Sequence, residues 1–110
     1  MSKGDIWVGL ACLKPNPEVR NFRRFGEGKG AYVNIVAWAQ SKDAFEEKVK
    51  RQVGELDCIL VELDDVGLLE SRMNTQNFPE EFVDMRQTAN RQPEDTVFGT
   101  FHIWHQEDAN

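Results

Sequence analysis

The sequence predicts an α+β fold: two layers, with a four-stranded, mainly antiparallel sheet and two helices on one face. Three observations predict it. Residues 6–13, 31–39, 58–63 and 96–105 are short stretches rich in aliphatic and aromatic residues, bounded by turn formers, as strands are. Two further stretches place apolar residues at helical spacing behind good helix-starting residues. The strands are apolar on both alternating rows, so both faces of the sheet need cover.

The first strand, 6–13, lies between Gly4-Asp5 and Pro15-Asn16-Pro17. Ile6, Val8, Leu10 and Cys12 share one row; Trp7, Gly9, Ala11 and Leu13 share the other. Residues 14–30 are a long connection. Asn16 as cap and Pro17 at the first helical position can open a short helix over 17–25, with Val19, Phe22 and Phe25 as its stripe. Gly26-Glu27-Gly28-Lys29-Gly30 is too rich in glycine to extend it.

The second strand, 31–39, sets Val33, Ile35 and Ala37 against Tyr32, Asn34, Val36 and Trp38. Ser41 then caps a helix, with Asp43 in its first turn, where the helix dipole favours a negative charge. Phe45, Val49, Val53 and Leu56 form its apolar face, and Gly54 marks its fraying end. The third strand, 58–63, ends at Asp64-Asp65 and Gly67; Leu68-Leu69 is a short apolar contact, and 72–76 a polar loop. Pro79-Glu80-Glu81 opens the second helix, whose core face is Phe82, Met85 and Ala89. The last strand, 96–105, follows a loop holding Pro93. This order of strands and helices is similar to ferredoxin-like folds in outline.

Composition bounds the rest. The 110 residues fit one domain, 1–110. Aromatic residues make up 10% of the chain, which excludes disorder as the ground state. No apolar run reaches the length that spans a bilayer, so no membrane role and a cytoplasmic location are expected. Cys12 and Cys58 lack zinc or redox spacing and read as buried free thiols. Residues 1–54 carry a net +4 and residues 55–110 a net −10, giving −6 overall. Complementary halves of this kind favour contacts within or between chains, and the negative total argues against nucleic acid as a partner.

Opposite the aliphatic rows, Trp7, Tyr32, Trp38, Phe98 and Trp104 are expected to share one face, a patch too large for a bare monomer. Its cover is a second subunit, the connection 14–30 or the second helix, or a small molecule, with Asn34, His102 and Glu62 as polar groups. For chemistry, His102 is the better general base of the two histidines, to be used with Glu62 or Arg24. His102 and His105 fall on opposite faces of a strand, so no metal site and no cofactor are expected. Arg20, Arg23, Arg24 and Lys29, beside the glycine-rich stretch, are anion-binding candidates without a phosphate-loop signature. No nucleophile motif stands out. These features favour a noncatalytic acidic binding or regulatory module, homodimeric or bound to another protein. The alternative is a small-molecule-binding protein or small enzyme with its site on the aromatic face.

Overall fold

The computed structural model describes residues 4–20, 25, 28–73 and 80–105. Strands β1 (Asp5–Pro15) and β2 (Gly30–Ala39) pair antiparallel, from Asp5 opposite Ala39 to Leu13 opposite Ala31. Helix α1 (Lys42–Glu55) leaves β2 through Ser41, whose side chain accepts from the Ala44 N–H at 3.1 Å. That bond satisfies one of the amide donors left free in a first helical turn. Strand β3 (Cys58–Leu68) then joins the other edge of β1, also antiparallel. Since β1 opposes both neighbours, β2 and β3 run the same way, and α1 carries the chain across β1 between them.

Helices α2 (Leu69–Met73) and α3 (Glu80–Arg91) follow, and strands β4 (Thr96–Phe98) and β5 (His102–Trp104) both pair with the free edge of β2. The sheet order is β3-β1-β2-β4, with β5 beside β2 as well. The α+β class and the antiparallel sheet are as the sequence predicts. The chain crosses over from β2 through α1 to β3, with β1 between the two strands.

The helices are divided between the faces, where the sequence pattern suggested a single helical layer. Phe45, Val49 and Val53 of α1 pack on the odd-numbered row, including Ala11, Leu13, Val33 and Ile35. Phe82, Met85 and Ala89 of α3 pack with Leu69 on Val8 and Val36 of the even-numbered row. The reason is the two-sided apolar character of β1 and β2, because one helical layer leaves half of it wet. Lys48 of α1 ties the layers at one end, donating to the carbonyls of Trp38 at 3.1 Å and Pro93 at 3.2 Å.

Three elements differ from the sequence expectation. β3 runs on through Asp64-Asp65 to Leu68, because irregularities opposite Val8/Leu10 and Cys12/Leu13 absorb extra residues. Asp65 takes φ 53°, the left-handed region that aspartate tolerates better than most residues. Leu69 to Met73 form α2, where a contact and the start of a loop were expected. Residues 17–20 hold turns in place of the start of a helix. Asn16 Oδ1 accepts from the Glu18 N–H at 2.9 Å, so Asn16 closes a local turn rather than capping a helix. Residues 21–24, 26–27 and Pro79 lie outside the described residues.

The expected last strand is broken in two. Phe98 pairs with Ile35 and His102 with Tyr32, so four steps along one strand match three along the other. One extra residue is a bulge, and it inverts the alternation beyond it. Phe98 and Phe101 therefore both join the core under α1, their rings stacked at 6.0 Å. Because Phe45 is fully buried between α1 and the sheet, Phe45→Ala is expected to lower unfolding stability by about 3–5 kcal/mol in urea titration.

Candidate functional site

α3 and α2 cover only one end of the even-numbered face. Val8 and Val36 are sealed, whereas Tyr32 is 44% exposed and Ile59 44% exposed. Strand register lays out this open half as rows across the sheet. Glu62, Cys12, Tyr32 and His102 are successive partners on β3, β1, β2 and β5. Beside them, Asp64 opposes Leu10 and Leu10 opposes Asn34. At the far end Ile59 opposes Lys14, and Trp104 opposes Gly30.

Gly30 holds its place because of a close approach. A Cβ there would stand 2.4 Å from the Trp104 ring and 2.5 Å from the Leu13 carbonyl oxygen. The Lys14 ammonium sits 5.8 Å from the centre of the Trp104 ring, within cation–π range. The Trp104 indole N–H is buried and finds no acceptor among the described residues.

Glu81 closes the boundary between the covered and open halves. Its carboxylate accepts from the Asn34 side-chain amide at 3.3 Å and from the Thr100 backbone N–H at 3.0 Å. The Gly99 N–H donates to the Asn34 carbonyl at 2.8 Å. The bulge between β4 and β5 frees an amide from the strand ladder, and the carboxylate from the first turn of α3 satisfies it. In the sequence Glu81 reads only as a first-turn acid. Its reach to a bulge that local pattern does not reveal could not be seen there.

Five of the residues singled out from the sequence meet on this open half: Tyr32, Asn34, Glu62, His102 and Trp104. Trp38 shares the face but lies under α3, where its indole N–H donates to the Ala89 carbonyl at 3.2 Å. Trp7 and Phe98 belong to the other face, packed against the α1 core, which corrects the expected five-residue aromatic patch. For Trp7 the cause is register, since it opposes Ala37 of the odd row. For Phe98 it is the strand pairing, since it opposes Ile35 of the same row.

His102 and Glu62 do not form a dyad. Two strands stand between them, so their backbones are about 14 Å apart at ordinary strand spacing. Of the anion-binding candidates, Arg20 and Lys29 are exposed, and the Lys29 amide donates to the Trp104 carbonyl at 2.7 Å. Arg23 and Arg24 lie outside the described residues. Among the described residues no His, Cys, Asp and Glu cluster could hold a metal ion, and no helix is long and apolar enough to cross a membrane. Cys12 and Cys58 are buried and unbridged.

Tyr32 reports on this surface. Its pKa is raised above the ordinary value near 10, first by charge on the neighbouring Cys12 and by its hydrogen bond to that sulfur, then by burial, Glu62 and Asp64. Compared with known proteins, the chain matches no family model, no curated protein and no solved structure.

Tyr32 is the only tyrosine, so ultraviolet titration of the phenolate reads it without ambiguity. The midpoint is expected above 10, and Cys12→Ala is expected to bring it down toward that value.

Proposed function

We propose that the protein is a noncatalytic binding module that works through protein–protein contact at the open half of the sheet, with a second copy of the chain as its first partner. The observation that carries this is the row Glu62, Cys12, Tyr32, His102, which runs from an exposed carboxylate edge past buried Cys12 and the exposed Tyr32 ring to an exposed imidazole edge. A two-fold axis parallel to the strands places each edge of one copy over the opposite edge of the other. Glu62 of one chain then faces His102 of its partner, and the two Tyr32 rings meet near the centre. Symmetric contacts of this kind are the commonest in soluble oligomers, and buried aromatic residues near the centre dominate their energetics. A cytoplasmic setting accords with two cysteines that form no disulfide.

A second reading is favoured by a separate observation. Glu62, Asp64 and Glu81 gather three carboxylates around the open half, beside Trp104 and Tyr32. Carboxylates interleaved with aromatic rings suit a basic polypeptide segment, whose lysines and arginines can use both.

Light scattering behind a sizing column distinguishes the two. At micromolar concentration the protein is expected to run as a dimer, and Tyr32→Glu as a folded monomer. A wild-type monomer contradicts self-association, and saturable capture of a lysine-rich peptide by that monomer would support the second reading instead.

A further inference from the structure

The covered end of the same face contains a second site, independent of the open half. A cleft of about 300 Å³ opens among α2, α3 and the adjoining ends of β1, β2 and β3. Its apolar wall includes Ile6, Trp38 and Met73, and three charged residues line it: Asp5, Glu70 and Arg86. This volume is at the small end of the range for ligand pockets.

Arg86 is the unusual member. It is half-buried, and its Nη1 donates to the Met73 sulfur at 3.0 Å. A thioether is a weak, neutral acceptor, and a guanidinium carries five N–H donors suited to an oxyanion. Among the described residues no carboxylate pairs with it. Leaving a partly desolvated cation on so poor an acceptor costs free energy that a bound anion would recover.

The other two charges narrow the class of ligand. A simple anion would be drawn to Arg86 but repelled by Asp5 and Glu70. A simple cation would meet the reverse. A molecule carrying both charges on a short apolar body satisfies all three residues and the wall together. We propose that this cleft binds an apolar α-amino acid as its zwitterion. The carboxylate lies on Arg86, the ammonium faces Asp5 and Glu70, and the side chain rests against Trp38 and Met73. A molecule the size of leucine or phenylalanine is within the volume of the cleft.

The test is calorimetric titration of the full chain with L-phenylalanine and L-leucine, with tryptophan fluorescence as a second readout of Trp38. 3-Phenylpropionate, which lacks the ammonium, and phenethylamine, which lacks the carboxylate, serve as controls. Saturable binding of an amino acid at millimolar concentration or below is expected. Arg86→Gln is expected to weaken it roughly tenfold or more, the scale of one charge-assisted contact. Glu70→Gln, at an exposed position that does not contribute to the core, is expected to weaken it as well and serves if Arg86→Gln fails to fold by circular dichroism. Absence of saturable binding overturns the proposal. So does equal affinity for 3-phenylpropionate, or an affinity that Glu70→Gln leaves unchanged.

Discussion

Burial of the β1–β2 hairpin on both faces is the constraint on which the rest of the structure depends. Ala11, Leu13, Val33 and Ile35 look one way, and Val8 and Val36 look the other; all are buried. Alternation along a strand cannot be adjusted residue by residue, so a two-sided apolar hairpin requires two layers of cover. α1 supplies one, through Phe45, Val49 and Val53. α2 and α3 supply the other, but α3 has only 12 residues and rests on one end of the face. The exposed half-face follows from that shortfall.

Glu81 sets where the cover stops. It anchors the first turn of α3 to Asn34 and to the bulge at Thr100, so the helix cannot slide toward Tyr32 without losing both bonds. The same bulge turns His102 and Trp104 onto the open half and Phe101 into the core. One extra residue in an edge strand thus decides both what lies on the candidate surface and what is buried beneath α1. The proton-bearing side chains of that surface remain spread over four strands.

Much of this was legible in the sequence, and the remainder was hidden for identifiable reasons. Ser41 as cap, the α1 stripe and the α3 stripe are local signals, and each holds in the fold. The two apolar rows of β1 and β2 were equally visible. Their relative register was not, because alternation within a strand says nothing about which row of a neighbour it joins. Trp7 was misplaced on that account. Phe98 was misplaced because a four-residue step opposite a three-residue step leaves no mark on composition. The split of the helices between faces likewise depends on how chain crossovers are routed, which no local pattern encodes. Tyr32 and Asn34 share a side by strand periodicity, whereas His102 and Trp104 reach that side only through the bulge, and Glu62 only through the irregularity in β3.

The central claim is that one face of the hairpin is half covered and half open. Methyl-resolved nuclear magnetic resonance with a soluble paramagnetic agent tests it most directly, at a concentration low enough to keep chains apart. The Ile59 methyl signals, on the open half, are expected to be strongly attenuated, while those of Val8 and Val36 on the same face stay protected. Equal protection of all three residues would contradict the account, because it would mean that the open half is covered within the chain itself.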